Sequence, residues 1–251
     1  MLIYLIERVQ RVILDIVLCF VRDPKLQWHS LNLKFKHEGD LPQFSRQYGI
    51  RLETLQRQKD TGLDNPAYRF HRDEGFFSYF VSHAEDLRGC SWLDVGADKG
   101  AVSLYLSEIL NSTNFELCDI TVARHSNFPV KQIAGTHLDY ECNSFDLVFF
   151  SYVLHHAADD TIQLLRDAHR IARKYVVVTE DPKETEDDYY WAYMHDKRGT
   201  FRGRKEWMEL FATIGFYCVY EKALDCQLHS RHFFLLAPDK NAKALARIIH
   251  D

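Results

Sequence analysis

The sequence predicts an α/β domain over residues 90–251, preceded by a helical region over residues 1–89. Three observations predict it. From residue 91 onward, short apolar runs alternate with stretches whose apolar residues recur at helical spacing, as in a parallel sheet covered by helices. Residues before 90 lack that strand rhythm. The first strand-like run leads straight into a glycine-bearing loop, "GADKG", that opens an amphipathic helix.

The opening run, "MLIYLIERVQRVILDIVLCFV", reads as one helix. Glu7, Arg8, Arg11 and Asp15 interrupt it, no basic segment precedes it and no small-residue cleavage site follows, so it is neither a signal peptide nor a membrane span. Glu7, Arg11 and Asp15, four apart, draw a narrow charged stripe opposite a wide apolar face. A face of that kind packs on its own domain or on a second copy, or lies on a membrane surface, so residues 1–22 are expected to make homodimer or membrane-surface contacts. "RDPK", "EGDLP" and "TGLDNP" punctuate residues 22–66, and "FSRQYGIRLETLQRQ" and "AYRFHRDEGFFSYFVSHAEDL" have helix-compatible spacing. Tyr68, His71, Arg72 and Phe76 in the second are candidates to cap the mouth of the next domain, or belong to an ordinary packing helix.

"SWLDVG" is a short buried strand, and "GAVSLYLSEIL" sets Val102, Tyr105, Leu106, Ile109 and Leu110 on one helical face. "NFELCDI" is the second strand, "PVKQIAG" the third and "FDLVFFSYV" the fourth. "DDTIQLLRDAHRIARK" is a helix that begins on capping aspartates and ends on Arg170, Arg173 and Lys174, matching the helix dipole at both ends. "YVVVTED" is the fifth strand. An acidic and aromatic insertion, "EDPKETEDDYYWAYMHDKRG", spans about 181–202 and is expected to form a lid. The helix "RKEWMELFATIG" comes next, then "FYCVYEKAL" and "RHFFLLAP", an antiparallel pair because only a short connection joins them. "NAKALARIIHD" is a polar tail helix.

The chain of 251 residues suffices for one α/β domain with an appendage; two full domains would be tight. With 31 basic against 36 acidic residues, its formal charge of -5 argues against a nucleic-acid substrate. The six cysteines, Cys19, Cys90, Cys118, Cys142, Cys218 and Cys226, form no C-x-x-C pair or zinc spacing and point to a reducing, cytoplasmic setting, with peripheral membrane attachment as the variant the first helix allows.

Ligands of open α/β sheets sit beyond the carboxyl ends of the strands, where "GADKG" leaves the first strand. A dinucleotide fingerprint aligned here needs glycine at 98 and 101, and the sequence has Asp98 and Ala101. Asp98 would repel a pyrophosphate at a helix N-terminus. It suits a phosphate-free ligand with a cationic centre, such as S-adenosylmethionine, which carries a sulfonium and an ammonium. Asp119, ending the second strand, is placed to accept hydrogen bonds from both hydroxyls of a ribose.

The runs "LDVGADKGAVS", "ELCDI" and "AGTHLDYECNSFDLVFFSYVLHHAADDTIQLLRDAHRIARKYVVVTED" resemble the class I S-adenosylmethionine-dependent methyltransferases, in particular the small-substrate group with Leu-His-His after the fourth strand. "FRGRKEWMELFATIGF" is similar to that group's segment before its sixth strand. The resemblance covers roughly residues 90 to 237. It implies a Rossmann-like, seven-stranded, mostly parallel sheet with an antiparallel last strand, and S-adenosylmethionine as cofactor. By the same resemblance Asp94, Gly96 and Gly100 form the loop under the methionyl part, Asp119 is the ribose acid and Ile120 packs on adenine. Asp98 departs from the family's central glycine; together with Ala97 beside it in the loop, and Ser151 nearest the end of the fourth strand, it is also a candidate cofactor contact. Where the family often has an acid for the adenine amino group this chain has Ala134, with Thr136, His137 or a backbone carbonyl as substitutes.

Methyl transfer from a sulfonium is an in-line displacement, so positioning dominates and a base is needed only if the acceptor loses a proton. "SYVLHH" supplies the candidates Tyr152, His155 and His156. One histidine as general base is the functional reading, since imidazole titrates near neutrality. The structural reading has one ring packed beneath the next helix and the other satisfying its N-terminus. No metal is predicted: His155, His156, Asp159 and Asp160 lack ligand spacing, and adjacent histidines on such a turn diverge. Tyr190, Trp191 and His195, with Tyr189 and Tyr193, could wall an acceptor pocket for an apolar or cationic molecule, or cover the sheet edge. Arg202 and Arg204 could bind a substrate carboxylate or serve as surface charges.

The expected function is methyl transfer from S-adenosylmethionine to an oxygen, nitrogen or carbon of a small molecule. A methyltransferase-like binding subunit without activity is the alternative, motivated by Ala134. A methyltransferase acting on RNA or protein is the third reading, and the acidic insertion argues against RNA.

Overall fold

A computed structural model describes residues 2–18, 26, 30, 40–135, 137–186, 188, 199–225 and 230–239. The chain divides into two compact units, residues 1–74 and 75–251. The division falls ahead of the 89/90 boundary read from the sequence, because Phe76 and Phe80 lie 6.2 and 5.5 Å from the ring of Phe149 and join the sheet's own core.

In the first unit, α1 (Leu2–Leu18) leaves Ile6, Val9, Val12, Ile13 and Ile16 between 46% and 58% exposed. Among the described residues no helix is long and apolar enough to cross a membrane. The stretch read as one helical run becomes two helices, α2 (Leu41–Tyr48) and α3 (Leu52–Thr61), because the chain turns left-handed at Gly49, φ 67°. Asn65 caps α4 (Pro66–Arg72), its side chain accepting from the Tyr68 N–H at 3.3 Å. Tyr48 stacks on Phe70 at 4.5 Å, and Arg69 pairs with Asp64 at 3.0 Å, so this unit has an aromatic core with its charges paired at the rim.

The helix α5 (Glu74–Ser82) and the short α6 (Ala84–Leu87) lead into the sheet. Its strands are β1 (Trp92–Val95), β2 (Phe115–Asp119), β3 (Lys131–Gln132), β4 (Phe145–Ser151), β5 (Ala172–Glu180), β6 (Tyr217–Asp225) and β7 (Ser230–Ala237). They form one seven-stranded sheet in the order β3-β2-β1-β4-β5-β7-β6, with β7 antiparallel to both neighbours and the pairs among β1 to β5 parallel. The Rossmann-like sheet with an antiparallel last strand is therefore as expected. Its helices are α7 (Ala101–Ile109), α8 (Thr161–Ile171) and α9 (Arg204–Ile214).

Register decides which side chains meet. Asp94 lies opposite Leu117 and Phe149, Ser151 opposite Thr179, and Thr179 opposite Phe233. Side chains alternate along a strand and partners in register share a face. Asp94, Asp119, Ser151 and Thr179 thus share the face that also carries Phe149 and Phe233, on which Phe76 of α5 packs. Val95, Phe150, Val178 and Phe234 face the other way, into a core with Leu165 of α8 and Trp207 and Phe211 of α9.

The helix read as residues 159–174 is shorter. It stops at Ile171, and Ala172 already pairs with Phe145 in β5. Arg173 and Lys174 are strand residues whose heads each lie 3.4 Å from the carboxylate of Asp146 on β4. Asp160 makes no side-chain cap bond; residues Ala158–Asp160 form a 3-10 turn instead, and Thr161 donates to the carbonyl of Ala158 at 2.7 Å. At the carboxyl end the cause is tertiary: strand pairing overrode a local helix signal. The expected tail helix at 241–251 lies outside the described residues.

Candidate active site

The loop after β1 is built by main-chain bonds. The N–H groups of Gly96 and Ala97 donate to the carbonyl of Cys118 at 2.8 and 3.2 Å, and the Asp98 N–H donates to the Asp119 carboxylate at 3.0 Å. Gly96, Asp98 and Gly100 all have positive φ, 73°, 48° and 70°. A Cβ on Gly96 would stand 2.5 Å from Val153 Cγ2, and one on Gly100 2.6 Å from Leu117 Cδ2, so glycine is required at both for backbone and for space. Asp98 occupies the left-handed region that aspartate tolerates better than most residues, with its side chain exposed.

Two carboxylates frame this loop. Asp94 is 3% exposed and accepts from the Ser103 hydroxyl at 2.7 Å, while that hydroxyl also receives the Trp92 indole N–H at 3.1 Å. Asp94 thereby ties β1 to α7. Asp119, 9% exposed, accepts from the N–H groups of Asp98 and Thr121, each at 3.0 Å, and still has lone pairs for further donors. Beside it Ile120 is 60% exposed, an apolar platform at the end of β2. A run of carboxylates, an open apolar side chain and a tight glycine turn fit a ribose, an adenine and a cationic methionyl group, the parts of S-adenosylmethionine.

Beyond β3, Ala134 is exposed and offers no acid. Thr136 lies outside the described residues. His137 points to α8: its Nδ1 is 2.8 Å from Asp167, whose carboxyl is partly desolvated but held below the usual carboxylate range by the Leu138 N–H and by Arg170. The same Arg170 donates to the carbonyls of Leu138 and Tyr140. His137 is therefore engaged in anchoring this loop to α8.

The turn after β4 is held differently. Tyr152 has φ 60°, donates its N–H to the Thr179 carbonyl at 2.8 Å, and has the Arg231 guanidinium 5.3 Å from its ring centre. Arg231 is 6% exposed and donates to Asp181 at 2.9 Å. Thr179, 2% exposed, has its hydroxyl buried with no hydrogen-bond partner among the described residues. Ser151 is half-buried beside it.

His155 belongs to another network. Its Nδ1 is 2.6 Å from one oxygen of Glu180, whose other oxygen accepts from the N–H groups of Val153 and Leu154 at 3.1 and 2.7 Å. Glu180 follows Val176 and Val178 in the alternation, so it faces the α8–α9 side of the sheet, and His155, 5% exposed, is sequestered with it. The structure thus sets His155 apart from the Asp94–Asp119–Thr179 face. The ring of His156, exposed, lies 4.0 Å from that of His155. Among the described residues no three His, Cys, Asp or Glu side chains cluster as a metal site.

The insertion at about 181–202 is described at its two ends. Lys183 N–H donates to the Arg202 carbonyl at 3.2 Å, Thr200 N–H donates to the His155 carbonyl at 2.7 Å, and Phe201 stacks on the His155 ring at 5.0 Å. Tyr190, Trp191 and His195, with Tyr189 and Tyr193, lie outside the described residues. Arg202 lies 5.0 Å over Trp207, and Arg204 forms a double contact with Glu221 at 3.0 and 3.1 Å, so both are engaged within the domain. Of the candidate cap residues, Arg72 pairs with Asp73 at 2.6 Å and covers Tyr68 at 5.6 Å, whereas Phe76 is a core residue of the sheet.

Sequence reasoning missed Thr179, Glu180, Asp181 and Arg231. The available signal was charge and hydroxyl at the ends of otherwise apolar strands, "VVVTED" and "RHFFLL", the edge at which ligands of such sheets bind.

Comparison with known proteins agrees with this fold. The profile of a family described as "Methyltransferase domain" matches residues 52–221. Magnesium protoporphyrin IX methyltransferase from Synechocystis PCC 6803, solved with bound SAH, superposes with a TM-score of 0.51 at 13% identity, covering 81% of this chain and 96% of that one. A protein of Pyrococcus horikoshii OT3 gives 0.52 at 15%, covering 70% and 93%. A complex of the Haloferax volcanii Trm112 methyltransferase activator and a putative methyltransferase gives 0.50 at 16%, covering 68% and 97%. At these identities the likeness is one of fold. No curated protein matches the chain in sequence.

Proposed function

We propose a small-molecule acceptor for this chain, which belongs to the methyltransferase-domain family and is an S-adenosylmethionine-dependent methyltransferase. The observation that carries the proposal is burial. Beyond the cofactor acids, on the same face, the polar groups Thr179 and Arg231 are 2% and 6% exposed. Polar groups held inside the domain at this edge are not displayed to a macromolecule, which favours a small acceptor. The formal charge of -5 also disfavours RNA.

When bound, S-adenosylmethionine would supply an electrophilic methyl on a sulfonium to an oxygen, nitrogen or carbon of the acceptor. Asp119 would receive the ribose hydroxyls, Ile120 would pack on the adenine, and Asp94 and Asp98 would supply negative potential for the methionyl ammonium. Gly96, Ala97 and Gly100 would let the backbone pass close beneath it. Ser151 and Tyr152 stand at the end of β4, where Arg231 clamps the Tyr152 ring, and orient the acceptor. His156 is available as proton acceptor when the acceptor must lose one, and His155 serves as a positioning group. The exposed apolar row of α1 supports association of residues 1–22 with a second copy or a membrane surface; deletion of this segment changes the oligomeric mass in the first case and flotation with liposomes in the second.

Calorimetric titration is the first test. Wild-type protein binds S-adenosylmethionine, and Asp119→Ala weakens binding by about 10- to 100-fold through lost charge-assisted hydrogen bonds. Incubation with isotopically labelled cofactor and a cell extract then places label in the small-metabolite fraction. Label confined to RNA or protein would overturn the acceptor assignment and leave the cofactor untouched.

A further inference from the structure

Glu180 is a buried carboxylate, 1% exposed, that the transfer chemistry does not use. It stands between two segments. One oxygen binds the N–H groups of Val153 and Leu154 and so fixes the turn after β4. The other binds His155, whose carbonyl accepts the Thr200 N–H and whose ring is covered by Phe201. The turn in question also abuts the cofactor loop, because Val153 fills the space where Gly96 would carry a Cβ, with methyl carbons at 2.5 and 2.9 Å from that point. Close approach recurs at the far side: a Cβ on Gly199 would meet Phe201 at 2.6 and 2.8 Å and His155 at 3.2 Å.

We propose that Glu180 and His155 are a positioning pair that holds the chain at residues 199–201 and the turn after β4 as one unit against the glycine loop, so that cofactor affinity depends on a contact made on the opposite face of the sheet. The physical basis is continuity. Packed side chains and buried, charge-assisted hydrogen bonds transmit displacement because they have no slack to absorb it. Moving Phe201 moves the His155 ring, the ring moves the Glu180 carboxylate, and the carboxylate moves the Val153 N–H and the methyl groups beneath Gly96. The inference rests on the glycine loop holding S-adenosylmethionine and is independent of what the acceptor is.

The experiment measures binding of S-adenosylhomocysteine to the full chain by calorimetry, with melting temperature and amide hydrogen exchange recorded on the same samples. Gly199→Ala leaves the buried carboxylate in place, adds one methyl against Phe201, and is expected to weaken binding by about 2- to 30-fold. Glu180→Gln keeps an acceptor for the two N–H groups while altering the contact to His155, and weakens binding within the same range. In both variants amides 153–155 and 199–201 lose protection together. Phe211→Leu, in the α9 core, is the control: its melting temperature falls, and its affinity stays at the wild-type value. Wild-type affinity in Gly199→Ala, or loss of affinity in Phe211→Leu proportional to its lost stability, would overturn the pair's role. Absence of binding by the wild-type protein would instead remove the cofactor assignment on which it rests.

Discussion

The two turns that leave neighbouring strands β1 and β4 solve one problem by different means. Residues 96–100 are held at the end of β2 by the Cys118 carbonyl and the Asp119 carboxylate, and their shape depends on positive φ at Gly96, Asp98 and Gly100. Residues 152–157 include a non-glycine residue at positive φ, Tyr152, and are held by the side chain of Glu180 from β5. Both turns are thus anchored by residues more than 20 positions along the chain, but the first also carries its shape in its own glycines, whereas the second has none. A loop of the first kind stands out in a sequence; one of the second kind looks ordinary until its partner is known.

The sharpest way to break the second turn is Glu180→Ala. It leaves His155 without its carboxylate and strands two buried N–H groups, for a loss of about 3–5 kcal/mol in urea unfolding. The first turn breaks with Gly96→Ala, expected to cost about 2–4 kcal/mol from left-handed strain and overpacking against Val153. Gly135→Ala separates those two contributions, since φ is 73° there and no atom lies within 4 Å of an added Cβ. Its loss should be only about 1–2 kcal/mol, the strain alone.

Thr179→Val goes the other way. Replacing an unpartnered buried hydroxyl with a methyl should raise the melting temperature by about 2–4 °C, and a fall would show that the hydroxyl is satisfied in the free protein. The smallest expected effect is on pH dependence. Burial, aided by Arg204, lowers the pKa of His232 against the opposing pull of Glu184, Glu221 and Asp188. The folded state therefore binds that proton less readily than the unfolded chain. The stability contribution is present above the unfolded pKa, about 6.5, and is lost as pH falls from there through the lower folded value. Thermal melts between pH 7 and pH 5 should show this decline, flattened in His232→Gln.

Much of the site was legible because its signals are local. The charge of Asp98 counts against a pyrophosphate, and its carboxylate is exposed at the loop. Asp119 and Ile120 lie at the strand end where alternation and length placed them. The histidines were less legible. "SYVLHH" says nothing of Glu180, 25 residues beyond His155, which decides that this histidine is buried on the α8–α9 side. Likewise the helix ending at Ile171 reads as longer, since the residue that claims Arg173 and Lys174 belongs to β4.

By itself the sequence determined most of the strands and helices and the residue types of the loop after β1, because periodicity, glycine and charge act within a few residues. Tertiary structure alone decided which polar groups at the carboxyl edge share the face of Asp94 and Asp119 and which are bound on the other face. That outcome depends on strand register, where one residue's shift exchanges the two faces, and Thr179 and Glu180 are the adjacent residues that register sends to opposite sides.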